Sequence, residues 1–406
     1  MKRADHFTRL AQRYSHLGAE LESGEEVYST LRVKSIEELR KLFMDSATPE
    51  HRKARAENIY KDYPSIKNVK ENASAASIMR RVQAYVFGDA DLDDLDRSRI
   101  EGLFPLEVSC MSVKNKTLPA NYQWNLGTSL RPQCINLGTL TMEPGSSIVI
   151  QNTILKMTIG TLVRNGGNQK GPDYDLAILG VDGKTGTTGG QGPTGGDGGV
   201  GPHGTCASPG VAGKEGKTGN TGRTGNTGGT GHTGHPGKAA LTANITISDG
   251  ITGTSPTFII YTKSGAGGTG GAGGTGGTGG KGGPGGKGAT CGCEGTNGGN
   301  GGPGGNGGRG GTGGAGGDAA SGNDIYVTVP DGLTNSIIPL RKSAAPGSGG
   351  AGGAGGARGS GGSGGEKGKH ADAGGSGGNG TPGITGPQGP NSNKTGSPGQ
   401  IYVTPA

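Results

Sequence analysis

Aromatic side chains are scarce in this chain, with five Phe, ten Tyr and one Trp in 406 residues. Four of the Phe (Phe7, Phe43, Phe87, Phe104) and Trp124 lie in the first third. Beyond residue 173 only Tyr174, Phe258, Tyr261, Tyr326 and Tyr402 remain, each in a short apolar run. This excludes a conventional side-chain core from most of the C-terminal half. Long apolar runs are missing too, and none approaches the ~20 residues of a membrane span. The opening "MKRADHFTRLAQRYSHLGAEL" lacks the apolar stretch of a secretory signal. The expected location is therefore outside the cell or on a particle, reached by another route, with the cytoplasm as the alternative. The net charge of +7 is mild, and no dense Lys/Arg cluster with interleaved aromatics exists, which argues against nucleic acid as a partner. A phosphate-binding G-x-x-x-x-G-K-[ST] loop is absent: Gly216-Lys217-Thr218 has Val211 where the first glycine belongs. No motif pairs a Ser or Cys nucleophile with a base. The acidic run "GDADLDDLD" lacks the closing Glu of an EF-hand and reads as a helix start with acids in its first turn. No enzyme is expected.

Glycine is what the chain has in excess, 93 residues. It recurs at every third position from Gly183 to Gly237, broken only at Ala207. The same frame runs from Gly265 to Gly316, broken at Ala289, and from Gly347 to Gly389, broken at Ala371. Starts and breaks are each 82 residues apart, a register that a flexible linker has no reason to keep. Three residues per turn is the polyproline-II period, at about 3.1 Å rise per residue. Glycine in one frame bares an edge of each such helix so that another backbone can approach. A helix without internal hydrogen bonds must then pair its N–H and C=O groups with its neighbours. Collagen is excluded because 22 prolines in 406 residues fall far below the ~15–20% such a rod carries. Each break reads as a turn, so the three tracts predict three antiparallel hairpins and six polyglycine-II helices. An arm of about 24 residues would reach roughly 70 Å.

The remaining sequence predicts three regions. Residues 1–109 read as a helical module: Leu10, Tyr14, Leu17 and Leu21 fall at helical spacing, Ser35 and Glu38 form a capping box, and Thr48-Pro49 opens another helix. Residues 110–182 alternate apolar and polar positions between turns such as Glu143-Pro144-Gly145, a β-rich base. Residues 183–406 hold the hairpins (183–237, 265–317, 347–389) between short β-branched runs, "DYDLAIL", "PTFIIYT" and "SIIPLRK" before them and "TANITIS", "DIYVTVP" and "QIYVTPA" after. These runs would gather the hairpin feet into the base, with the Pro339 run at an edge. The expected class is thus a helical module, a small β barrel or sheet, and a six-helix glycine bundle.

The run "GGRGGTGGAGGDAASGNDIYVTVPDGL" resembles the N-terminal domain of Obg-type GTPases, where a small β barrel carries six polyglycine-II helices. The likeness covers about residues 160 to 406 by architecture, without the GTPase. It implies an intracellular scaffold that inserts the bundle into a large complex. In layout the chain is also similar to the tail-fibre tip adhesins of T-even phages, which implies an attachment region, a glycine-helix stack and receptor-binding loops at the distal end.

The turns "GPHGTCASPG", "GKGATCGCEGTNGG" and "GEKGKHADAGG" meet at one end if the hairpins run parallel. Their candidate binding residues are His203, Cys206, Ser208, Cys291, Cys293, Glu294, Lys369, His370 and Asp372, with Ala207, Ala289 and Ala371 marking the turns. Three readings of the sulfurs stand side by side. Cys206, Cys291 and Cys293 with His203 and His370 have the ligand chemistry of a structural zinc site, although Cys291-Gly-Cys293 is tighter than the usual spacing. A disulfide from Cys206 to Cys291 or Cys293 would clamp the tips in an oxidising space. Reduced cysteines tolerated in tight turns are the third. Cys110 and Cys134 read as buried thiols. A threonine ladder, Thr218, Thr221, Thr224, Thr227, Thr230 and Thr233, recurs at about 9 Å along one helix, and reads as a solvated face, with ice or crystalline polysaccharide as the alternative; His232 and His235 lie beside it. The expected function is a non-enzymatic adhesin or receptor-binding protein, its tips meeting a surface glycan or receptor and residues 1–109 docking to a larger particle or self-associating. A structural spacer or filament subunit is the alternative.

Overall fold

The computed structural model describes residues 6–22, 24–44, 47–62, 64, 67, 73–127, 131–166 and 173–406. The first five residues of the quoted opening lie outside that set. The first hundred residues form α1 (His6–Arg13), α2 (Gly18–Glu22), β1 (Val27–Val33), α3 (Ile36–Phe43), α4 (Pro49–Asp62), α5 (Ala75–Phe87) and α6 (Asp94–Glu101). The starts of α3 to α6 follow from side-chain capping. Ser35 Oγ accepts the Glu38 N–H at 3.3 Å, while the Glu38 carboxylate takes the Lys34 N–H at 2.6 Å. Thr48, Ser74 and Asp93 accept from His51, Ser77 and Leu95 in the same way. Arg81 of α5 and Asp96 of α6 form a buried ion pair, which holds the Asp96 carboxyl below its ordinary range.

From residue 106 the chain alternates between two sheets. Strands β2 (Leu106–Leu118), β4 (Gln133–Met142) and β6 (Leu155–Arg164) go to the larger sheet, and β3 (Gln123–Leu126), β5 (Ser147–Gln151) and β7 (Leu176–Leu179) to the smaller. After a first glycine hairpin, tipped by the short β8 (Cys206–Ser208) and β9 (Val211–Ala212), the alternation resumes with β10 (Ala243–Thr252) and β11 (Phe258–Lys263). A second hairpin leads to β12 (Ile325–Val329), which is followed directly by β13 (Ile337–Lys342), and a third hairpin leads to β14 (Ile401–Pro405). The seven-stranded sheet runs β1-β2-β4-β6-β10-β12-β14 and the five-stranded sheet β13-β11-β7-β5-β3. Within these two sheets every pairing is parallel except β1 with β2. The chain is therefore wound as a two-sheet parallel coil, each turn stacked on the last.

The period-2 rule sets its interior. The rung Met111–Ile135–Met157–Ile245–Val327–Val403 faces the core between the sheets. Its neighbours in sequence, Ser112–Asn136–Thr158–Thr246–Thr328–Thr404, form a polar rung on the opposite face. The helices cover that outer face. Arg55 of α4 donates to Thr328 and Thr404 at 2.8 and 2.6 Å, and Phe87 of α5 stacks on Tyr326, which stacks on Tyr402. The C-terminus of α3 is also held by the sheet: Lys156 Nζ donates to Leu42 O and Asn244 to Phe43 O.

These observations correct the expected fold class. The protein is a mixed α/β structure with a seven-stranded and a five-stranded sheet, and six α-helices among the described residues. No small barrel carries the hairpins, and residues 1–109 are not a separate helix-rich module: they include β1 and share a second apolar core with the larger sheet. The physical reason is the connectivity. Strands separated by a whole hairpin pair in parallel, so each short run is one more turn of a stack and no barrel closes. Among the described residues no helix is long and apolar enough to cross a membrane.

Candidate binding tip

Six glycine-rich arms carry the tip. In chain order they span 183–204, 213–237, 265–289, 295–320, 345–368 and 374–397. None has hydrogen-bonded secondary structure of its own, and their backbone groups pair across arms at three-residue steps. The first arm donates to the third from Gly183→Ala266 to Gly204→Lys287, at 2.7–2.8 Å, and the third to the fifth from Gly267→Ala345 to Gly288→Glu366. The second donates to the fourth and the fourth to the sixth in the same parallel sense. Antiparallel bonds link each arm to the next, as in His235→Lys184, Gly268→His235, Gly317→Gly268, Gly347→Gly317 and Gly389→Gly350. The result is two rows of three, first-third-fifth and second-fourth-sixth.

Composition follows from neighbour number. The third and fourth arms each bond to four others and carry glycine at two of every three positions; the first and sixth bond to two and carry it chiefly at one. A methyl on Gly310 would enter the shell of the Gly353 carbonyl, whereas one on Gly378 would meet nothing within 4 Å. The rows prolong the sheets. Gly180→Lys263 continues the β7–β11 ladder into the first and third arms, and Ile325→Gln400, Gly322→Ser397 and Ala319→Lys394 carry the β12–β14 pairing into the fourth and sixth.

Backbone N–H groups left over in the outer frames are taken by side chains of the adjacent arm. Asp182, Asp197 and His203 accept from Ala266, Lys281 and Lys287 at 2.7, 2.7 and 2.9 Å. Asn297, Asn300 and Asn306 accept from Asp372, Gly375 and Thr381 at 2.7–2.8 Å. This asparagine series was missed from sequence, although its spacing in multiples of three within one non-glycine frame, interrupted by Pro303, is a legible signal.

At the distal end β8 and β9 form the first tip, turning at Gly210 in the left-handed region. The second tip closes on a Thr290–Gly295 bridge, with Cys291 N–H donating to Glu294 O and Gly292 left-handed. Ala289 lies just before it and gives its N–H to Thr296 Oγ1. In the third tip His370 is left-handed and Ala371 N–H bonds Gly368 O. Cys206 and Cys291 are joined by a disulfide with Cα atoms 5.6 Å apart, across a sequence separation of 85. Further links cross between tips: Asn297 Nδ2 donates to Glu215, and Lys287 pairs with Glu366 at 2.9 Å, which holds that carboxyl below its ordinary range.

The predicted site residues thus divide. Cys206 and Cys291 are spent in the disulfide, and His203 is occupied as a backbone acceptor. Ala207, Ser208, Cys293, Glu294, Lys369, His370 and Asp372 are exposed at the tips, Cys293 as a free thiol. With two thiolates consumed, no zinc site is assembled: among the described residues no group of three or more His, Cys, Asp or Glu is disposed to hold a metal. Cys110 and Cys134 are buried and face each other across β2 and β4. Thr218 to Thr233 are exposed along the second arm, as are His232 and His235. No protein-family model matches the chain, and no curated protein or solved structure matches it either.

Proposed function

We propose that this protein is a non-enzymatic adhesin or receptor-binding protein that presents three short loops at the far end of a glycine bundle. One observation carries the reading: a continuous lattice of backbone hydrogen bonds runs from the two sheets to a tip clamped by Cys206–Cys291. Loops held this way lose little conformational freedom on binding, which is the advantage of a preorganised binding surface. Ser208, Glu294, Lys369, His370 and Asp372 supply hydroxyl, carboxylate, ammonium and imidazole groups there, a set suited to the hydroxyl-rich surface of a glycan. The helical layer on the larger sheet lies at the opposite end and is the candidate dock for a larger particle. The small barrel base expected from the Obg resemblance is not found in this fold.

The test replaces residues 202–209, 288–297 and 367–373 with short Gly/Ser/Asn turns. Binding of labelled protein to bacterial cells and surface polysaccharides is then compared, with arm hydrogen exchange as the folding control. Surface binding that disappears in the variant while the arms stay protected is the expected result. Binding that survives the replacement, or wild-type protein that binds no surface, would favour a structural spacer.

A further inference from the structure

The helical layer contains a cavity that the tip reading does not use. It measures about 120 Å³ and lies among α3, α5, α6 and the feet of the coil turns. Phe43, Val82, Val86, Phe87, Ile100 and Leu106 contribute to its wall, and none of its lining residues is charged. Its mouth carries unusually exposed apolar side chains, Leu103 at 57% and Met79 at 39%.

One polar side chain breaks the pattern. Gln83 on α5 lines the cavity and is only 3% exposed. Its Nε2 donates to Thr242 Oγ1 at 2.6 Å, while its Oε1 is buried with no hydrogen-bond partner among the described residues. A buried carbonyl oxygen left unpaired is costly, and native interiors rarely leave one so. Apart from Thr242, whose hydroxyl already takes the Gln83 Nε2 bond, no described side chain of the wall carries a donor to relieve it. The shape and the chemistry therefore agree on what is missing: an apolar body with a single donor at its inner end.

We propose that this cavity binds a small neutral amphiphile, a compact apolar ring or chain bearing one hydroxyl or N–H that donates to Gln83 Oε1. The apolar wall excludes a charged head, whose desolvation nothing there would offset. Volume sets the size, since an engineered apolar cavity of about 150 Å³ admits benzene. A six-membered ring or a chain of about six carbons is the matching scale, entering between Leu103 and Met79.

The experiment titrates the full chain with phenol, anisole and toluene, which share a ring and differ in the head group. Affinity is read by calorimetry or ligand-observed NMR. Phenol should bind about tenfold more tightly than the other two, the worth of one buried hydrogen bond. In Gln83→Leu that preference should vanish while toluene binding persists. Val82→Phe, which fills the cavity, should abolish binding of all three. Four results would overturn the proposal: no probe binding at millimolar concentration, toluene or anisole matching phenol on the wild type, phenol preference surviving in Gln83→Leu, or binding undiminished in Val82→Phe. If Gln83→Leu fails to fold, the wild-type ranking and Val82→Phe still decide it. The outcome is independent of whether the tips bind a surface.

Discussion

The coil and the bundle are built on one chain path but held together by different forces. In the coil, side chains such as Leu137, Met157, Ile245 and Val327 are removed from water between two sheets, and the hydrophobic effect supplies the cohesion. In the bundle almost nothing apolar is buried; Gly271, Gly305 and Gly353 fill the interior. There the backbone groups of one arm satisfy those of the next, and close approach brings dispersion contacts across bare edges. The comparison teaches that a parallel stack can change its source of cohesion along its length while keeping the same neighbours.

A misplaced methyl group should break the bundle and leave the coil standing. Gly310→Ala forces the arms apart at the Gly353 carbonyl and should cost about 3 kcal/mol or more, by the logic of overpacking. Gly378→Ala, with open space at the same atom, should stay within about 0.5 kcal/mol. Denaturant unfolding with hydrogen exchange on sheet amides as internal reference would read both; equal tolerance would mean that close approach is not what holds the arms. Next in size is the clamp. Reducing Cys206–Cys291, or Cys206→Ser, opens a loop of 85 residues and should cost about 2–4 kcal/mol, with protection falling around 205–214 and 289–296 and unchanged in the sheets. Loss of protection down the whole length of the arms would show instead that the tip disulfide sustains the lattice. Smaller than either disruption is the effect of Asn300→Ala, which leaves the Gly375 N–H without its side-chain acceptor. About 0.5–1.5 kcal/mol is expected, seen as faster exchange at the Gly375 amide alone; faster exchange along the sixth arm would give the asparagine series a larger role.

Much of the bundle was legible because its rule is local. Glycine at a fixed frame, with Ala207, Ala289 and Ala371 as interruptions, is visible without knowing any contact. The 82-residue register was a sequence feature rather than a structural one: donor and acceptor arms are offset by 83 residues between the first and third arms but by 78 between the third and fifth. The helix caps at Ser35 and Thr48 were equally local and readable. The coil was not, because Ala243 pairs with Ile325 only after a whole hairpin has intervened, and nothing in "TANITIS" says whether its neighbour is parallel. At the tip the sulfurs could be gathered but not paired, since the choice between Cys291 and Cys293 depends on which side chain the left-handed Gly292 turns inward. Gln83 was out of reach, being one polar residue in an amphipathic helix until Thr242 and the cavity are seen beside it.

The alignment of rows with sheets has an evolutionary consequence. Neighbouring strands in a sheet lie about 4.8 Å apart, and here each arm bonds to the arm launched by the adjacent turn, so the two lattices share a pitch. Duplicating one strand–hairpin–strand cassette would add a turn to the coil and two arms to the bundle without re-registering either. The number of displayed loops then becomes a countable trait, set by how many times a cassette has been copied and free to change by whole units.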